Sequence, residues 1–60
     1  MRDNRRFLQN QIDAFEVIRL IKCGEPAYSQ YPDPRPELTL WQVITLRNMA
    51  IEALRELTKN

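Results

Sequence analysis

The sequence contains no histidine and a single cysteine, Cys23. Histidine is the commonest general base and a frequent metal ligand, so its absence removes the usual centre of hydrolytic or metal-assisted catalysis. One cysteine excludes an internal disulfide and a cysteine-based zinc site, and it is typical of a reducing compartment. The single glycine, Gly24, leaves no glycine-rich phosphate loop. These absences predict that the protein is not an enzyme and that it holds neither a metal ion nor a cofactor.

Charge of one sign and long apolar runs are also scarce. Nine basic and eight acidic residues give a formal net charge of +1 over 60 residues. That near-balance argues against a general nucleic-acid or membrane-surface binder. No apolar run approaches the ~20 residues of a membrane span, and the start, Met1 to Arg6, lacks the apolar stretch of a secretory signal. We therefore expect one domain, residues 1–60, located in the cytoplasm and not in a membrane.

The positions of the few helix-breaking residues divide the chain into three parts. Gly24 and all four prolines lie in one central stretch, and the sequence on either side is free of both residue types; the prolines are Pro26, Pro32, Pro34 and Pro36. Apolar residues recur at helical spacing in the two outer parts. The sequence therefore predicts an all-α hairpin, with helices over 4–22 and 40–58 joined by a proline-rich loop over 24–37.

Local signals mark where each helix begins and ends. Thr39 followed by Gln42 has the spacing of a capping box, in which each side chain hydrogen-bonds to the other residue's backbone amide. Lys22, Gly24 and Pro26 together form the usual stop signal: a cation in the last turn, a glycine just beyond it, and then a proline.

Both predicted helices carry apolar sectors that are too wide for a single helical partner. A helix packed against one neighbour buries a stripe of about 100°, whereas each sector here covers roughly 200°. The candidate core and dimer-interface residues on these sectors are Phe7, Ile12, Phe15, Ile18, Val43, Leu46, Ala50, Leu54 and Leu57. Two hairpins placed face to face would cover both sectors, which predicts a homodimeric four-helix bundle. The alternative is a monomer that presents the uncovered apolar residues to another protein.

Aromatic residues cluster in the crossover and at the start of the second helix. We expect Tyr28 and Tyr31 to pack over the end of the bundle, and the prolines to hold Asp33 and Arg35 extended as a stiff rod. Trp41 has two interpretations, a cover for the same end of the bundle or an exposed anchor at an interface. The candidate partner-binding residues are Tyr28, Tyr31, Arg35 and Trp41. A docking motif for a proline-reading domain is disfavoured because PxxP spacing is absent.

The charged residues suggest one further candidate site. Three arginines near the start of the first helix form a candidate basic patch, namely Arg2, Arg5 and Arg6. They are too few to imply specific nucleic-acid binding, and a solvated N-terminus explains them more simply. Pairs of carboxylates one turn apart are interpreted as solvated surface charges, because no histidine accompanies them as a metal ligand; the pairs are Asp13 with Glu16 and Glu52 with Glu56.

The layout of the chain resembles that of short accessory proteins of lambdoid bacteriophages, encoded between the exonuclease and excisionase genes. The segments that carry the resemblance are Phe7–Ile21, Pro26–Pro36 and Thr39–Leu57, and they share size and arrangement rather than a diagnostic motif. The resemblance implies an early-expressed protein that alters host physiology or the lytic–lysogenic decision by binding a host protein. It transfers no catalytic or binding residue to this chain.

The function that the sequence favours is that of a small protein-interaction module. The alternative is a nucleic-acid-binding regulator that uses the N-terminal arginines, and it would show salt-dependent retention on heparin or DNA. A third possibility, an inhibitor that holds a small ligand between helices, has no convergent polar pocket in its favour. The sequence does not identify the partner or the arrangement of the subunits.

Overall fold

The fold is a hairpin of two α-helices, seen in a computed structural model that describes residues 4–59. Helix α1 spans Asn4–Lys22, a short 3₁₀ turn spans Pro26–Tyr28, and helix α2 spans Leu40–Leu57. The two helices pack against each other, and no strand occurs among these residues. The predicted all-α hairpin is confirmed: α1 has the predicted bounds, and α2 ends one residue earlier than predicted.

Helix α1 ends just before Gly24, the only glycine of the chain. Gly24 adopts a left-handed backbone conformation, with φ of +78°. Its amide donates to the Ile21 carbonyl, and the Glu25 amide donates to the Leu20 carbonyl. This paired arrangement is a Schellman motif, which satisfies carbonyls that the last turn of a helix leaves without partners. The predicted stop signal therefore acts through Gly24.

Helix α2 begins at the predicted capping box. The Gln42 amide donates to the Thr39 hydroxyl at 3.1 Å, and the Thr39 amide donates to the Gln42 side-chain oxygen at 2.8 Å. At the other end, the Thr58 hydroxyl donates to the carbonyls of Leu54 and Arg55. Because Thr58 caps the helix by these bonds, α2 ends at Leu57.

The core between the helices is small. Its buried residues are Ile18, Val43 and Ala50, and Val43 is the side chain with no exposed surface. Half-buried residues surround them, among them Ile12, Phe15, Leu46 and Leu54. Two other predicted core residues, Phe7 and Leu57, are exposed within the single chain. They are not core residues of the hairpin, because they lie at its open end, where both line a groove that is exposed to solvent.

The crossover is held against α1 by one lysine. The Lys22 side chain is only 8 % exposed, and its ammonium group donates to the Asp33 carboxylate at 2.6 Å and to the Arg35 carbonyl at 2.9 Å. The Asp33 carboxylate also accepts from the Arg35 amide, and the Leu38 amide donates to the Arg35 carbonyl in a turn. The segment predicted to be a stiff rod therefore contains two hydrogen-bonded turns, and Lys22 anchors it at Asp33 and Arg35.

Neither helix within residues 4–59 is long and apolar enough to cross a membrane.

Candidate interaction surface

The two tyrosines of the crossover form a ring pair. Tyr28 ends the 3₁₀ turn, and the Tyr31 amide donates to the Tyr28 carbonyl. Their ring centroids lie 6.1 Å apart and the planes are tilted by 46°, which is within the range of favourable aromatic contacts. Tyr28 is half-buried, whereas Tyr31 is exposed. The pair thus presents one tyrosine to solvent, supported by the other.

Trp41 lies elsewhere, in a groove along the outside of α2. Its side chain is 74 % exposed, although it is the largest apolar group in the chain. The groove holds about 380 Å³ and is lined by Leu38, Trp41, Gln42, Thr45 and Leu46. We call it the Trp41 groove. Within the single hairpin the indole is exposed to solvent, so it does not cover the end of the hairpin itself.

The four candidate partner-binding residues do not share a single site in the structure. The rings of Tyr28 and Tyr31 contact each other. The Arg35 guanidinium pairs with the Glu37 carboxylate, and the backbone carbonyl of Arg35 accepts a hydrogen bond from Lys22. Trp41 belongs to the Trp41 groove, which the crossover residues before Leu38 do not line. The tyrosine pair, the Arg35–Glu37 ion pair and the Trp41 groove are therefore three distinct sets of contacts.

The candidate basic patch is seen only in part. Arg2 lies outside the described residues, and Arg5 and Arg6 are exposed residues in the first turn of α1. The first turn of α1, as described, contains no acidic residue. Positive charge at a helix N-terminus is unfavourable, since the first amides already carry a partial positive charge.

An ion-pair cluster joins the two helices on one side of the hairpin. The Arg47 guanidinium of α2 donates to the Glu16 carboxylate of α1 at 2.7 Å, and Arg19 donates to the same carboxylate from one turn further along α1. Arg47 also donates to the Asn48 side chain at 3.1 Å. We call Glu16, Arg19 and Arg47 the arginine–glutamate cluster.

The two arginines strongly favour the charged form of Glu16. Hydrogen bonds from Arg19 and then from Arg47 lower the pKa of Glu16 from 4.5 to about 2, against a smaller opposing effect of burial. Glu16 is consequently a carboxylate at every physiological pH, so it has no proton to give. The cluster is a structural link between helices rather than an acid–base pair.

The prediction that Glu16 is a solvated surface charge was wrong. The signal that could have found this link was Arg47, a charged residue in the middle of the apolar sector of α2. A guanidinium placed there needs a carboxylate from the facing helix, and Glu16 on α1 supplies it.

A second groove lies between the start of α1 and the end of α2. It holds about 510 Å³ and is lined by Asn4, Phe7, Leu8, Ala53, Glu56 and Leu57. Phe7 is 61 % exposed and Leu57 is 45 % exposed, so the floor of this groove is apolar and open to solvent. The groove shows that Phe7 of α1 and Leu57 of α2 lie side by side on one face of the hairpin.

Groups that could carry chemistry are sparse among residues 4–59. Cys23 is exposed, and its sulfur lies 3.9 Å from a guanidinium nitrogen of Arg19. That part of the chain contains no cluster of three or more acidic or cysteine side chains able to hold a metal ion. Comparisons with protein-family models, curated proteins and solved structures found no match to this chain.

Proposed function

We propose that this chain is a non-enzymatic protein-interaction module that self-associates and binds a partner protein through the Trp41 groove. The observation that carries the proposal is the exposed indole of Trp41 beside apolar residues of the same groove. Tryptophan is among the residues that contribute most binding energy at protein interfaces. An exposed tryptophan in an apolar groove is therefore better suited to an interface than to water.

The composition of the groove indicates the chemistry of the partner's contact. Leu38, Trp41 and Leu46 give it an apolar floor, while Gln42 and Thr45 supply polar groups at the side. Such a groove favours an apolar side chain with hydrogen-bonding neighbours, which is typical of a protein segment. The crossover tyrosines and Arg35 form a second contact surface of the same residue types. The resemblance to phage accessory proteins implies that the partner is a host protein.

Capture experiments with separate variants test which surface binds. Tagged chain is used to capture proteins from host lysate, and the captured proteins are quantified for the original chain, for Trp41→Ala and for Tyr31→Ala combined with Arg35→Ala. We expect Trp41→Ala to lose the captured partner while helicity and mass are unchanged. Thr45→Ala is the matched control, because it removes a small polar lining residue and leaves the apolar floor.

Fluorescence of the purified complex gives an independent measurement. Trp41 is the only tryptophan of this chain, so the emission of the complex, after subtraction of that of the free partner, reports on this groove. Binding of the captured partner should shift the emission to shorter wavelength, since the indole leaves water. If Trp41→Ala captures the same partner as before and the emission does not shift, the Trp41 groove is not the binding surface.

Retention on heparin tests the nucleic-acid alternative. A module that binds protein should elute at low salt, because the net charge is only +1. Strong retention that decreases steeply with salt, and that Arg5→Ala with Arg6→Ala removes, would favour the nucleic-acid regulator instead.

A further inference from the structure

One face of the hairpin is mostly apolar and is not covered by the chain itself, with Asn10 as a polar residue between Phe7 and Ala14. On α1 it comprises Phe7, Ala14, Val17 and Ile21, and on α2 it comprises Leu46, Met49, Ala53 and Leu57. Ile21 and Leu46 are half-buried, and the others are exposed, with Met49 63 % exposed. We call this surface the outer face.

The two stripes lie on the same side of the molecule. Phe7, Ala53 and Leu57 line one groove, which places the ends of both stripes next to each other. The arginine–glutamate cluster lies on the other side, because Glu16 is roughly half a turn around α1 from the stripe. One side of the hairpin is therefore joined by charged groups, and the opposite side is mostly apolar.

The spacing of the stripes is that of helices that pack against further helices. Phe7, Ala14 and Ile21 occupy the a positions of a coiled-coil seam, and Asn10 and Val17 occupy its d positions. Each helix thus has two seams, one used within the hairpin and one left open. Two open seams side by side fit a pair of helices with the same spacing.

We propose that the outer face is covered by a second copy of this chain, with the dyad parallel to the helices, so that α1 of each copy lies across α2 of the other. This inference rests on the self-association in the proposed function and assigns its surface and arrangement. The result is a four-helix bundle in which all neighbouring helices are antiparallel.

The size of the face agrees with that occupant. The hairpin measures 40 Å by 18 Å by 18 Å, so the outer face presents roughly 700 Å². A stable protein–protein interface buries about 800 Å² on each partner. A second hairpin matches the face in length and width, whereas an extended peptide would cover only part of its width.

One pair of a small and a large residue, Ala14 and Met49, favours one arrangement over the other. The Glu16–Arg47 contact and the Phe7–Leu57 groove fix which residues of α1 and α2 lie at the same height. A dyad parallel to the helices keeps those heights, so Ala14 faces Met49 of the second copy. Small residues opposite large ones fill space without gaps. A dyad perpendicular to the helices and centred on the face would instead set Ala14 against Ala14 and Met49 against Met49.

Substitution on the outer face tests the surface. Ala14→Glu should raise the dimer dissociation constant by about tenfold or more, since a buried carboxylate would have no partner there. Gln30→Glu is the control, because it adds the same group on the exposed crossover, away from the outer face. The mass is measured by sedimentation across a range of concentrations, with helicity by circular dichroism.

Cysteine cross-linking tests the arrangement without disturbing the fold. Two variants are made in a chain that carries Cys23→Ser, one with Ala14→Cys and the other with Met49→Cys. They are mixed, and one of them carries a tag so that the cross-linked products differ in mass. Under mild oxidation we expect a mixed Ala14→Cys/Met49→Cys product in preference to self-linked products of either chain.

The outcomes separate the two proposals. Self-linked Ala14→Cys as the main product would overturn the arrangement, and an Ala14→Glu chain that stays dimeric would overturn the surface, while self-association stands in both cases. A wild-type chain that is monomeric at high micromolar concentration contradicts self-association itself. If Ala14→Glu unfolds, the cross-linking experiment tests the surface instead, because the Ala14→Cys and Met49→Cys variants add no charge to the outer face.

Discussion

At the scale of single residues, Arg47 is a charged side chain at a position where the helical pattern of α2 places an apolar one. It lies in the apolar seam of α2, and its Nε is buried without a hydrogen-bond partner among the described residues. The terminal nitrogens compensate by donating to Glu16 and Asn48. A guanidinium can do this because its planar fork separates its donors, whereas a lysine at the same place would supply a single point charge.

The low pKa of Glu16 predicts how stability depends on pH. A carboxyl group whose pKa is lower in the folded chain stabilises the fold at any pH above its pKa in the unfolded chain. That contribution is lost as the pH falls and the group becomes protonated. With a folded pKa of about 2 and an ordinary value of 4.5, the loss should develop as pH falls from about 4.5 to about 2. Urea titrations at pH 7, 4 and 2 measure it.

Glu16→Gln isolates that contribution from those of other carboxyls. The variant should be less stable than the original chain at pH 7, and the two should converge near pH 2. Asp13→Asn serves as the control, since Asp13 accepts a hydrogen bond from Gln9 within the same helix. Equal loss of stability on acidification in the original chain and in Glu16→Gln would show that the cluster does not stabilise the fold.

Ile18 is the residue of α1 whose truncation should cost most. It is 8 % exposed and is the buried residue of its helix. Ile18→Ala should destabilise the chain by about 2–5 kcal/mol, through lost transfer energy and the cavity left behind. Denaturant unfolding followed by circular dichroism measures the change. An unchanged midpoint would place the packed stripe of α1 elsewhere.

At the scale of elements, three local devices set the geometry of the hairpin. The Schellman motif at Gly24 ends α1, the capping box begins α2, and Lys22 fastens the crossover between them. The crossover runs close to the end of α1 because Lys22 reaches both Asp33 and the Arg35 carbonyl. These contacts are local in the chain or nearly so, and they orient the tyrosine pair and the start of α2.

The capping box should contribute measurably to stability. Thr39→Ala removes the acceptor for the Gln42 amide and should cost about 1 kcal/mol. Thr39→Ser, which keeps the hydroxyl, should cost much less. Urea midpoints of the two variants provide the comparison, and equal effects would mean that the hydroxyl bond is not what matters at this position.

Loss of the Lys22 anchor should loosen the crossover before it unfolds the helices. Lys22→Met keeps the length of the side chain but removes its donors to Asp33 and Arg35. Amide hydrogen exchange at Arg35 and Leu38 should become faster, because both amides are in the turns that this lysine holds. Lys59→Met is the control, and equal exchange in the two variants would show that the turns hold by themselves.

At the scale of the whole molecule, the chain buries little for the apolar surface it carries. Three residues form the buried core, whereas Phe7, Val17, Met49 and Leu57 are all exposed. A 60-residue chain gains barely enough burial to offset its conformational entropy, and no disulfide closes the hairpin within the described residues. Burial of the outer face by a second copy would supply what the single hairpin lacks.

Concentration should therefore change the thermal stability. If the dimer is the main folded species, the unfolding midpoint should rise as protein concentration rises, because association stabilises the folded state by mass action. Calorimetry or circular dichroism over a hundredfold range of concentration measures it. Ala14→Glu should abolish the dependence, and a midpoint of the original chain that stays constant would contradict self-association.

The sequence by itself determined the elements of this protein. Gly24, the prolines and the Thr39–Gln42 pair act over a few residues, so helix ends follow from them without knowledge of the rest of the chain. The all-α hairpin was predictable for the same reason, and so was the excess of apolar surface, which is a property of each helix alone.

Only the tertiary structure decided which edge of each apolar sector is buried. A sector of roughly 200° can turn either edge toward its neighbour, and the rotation depends on packing between helices. That rotation leaves Phe7 and Leu57 outside the core and brings Glu16 to Arg47. The path of the crossover likewise depends on contacts that no local pattern predicts, those of Lys22 with Asp33 and Arg35, which lie 11 and 13 residues further along the chain.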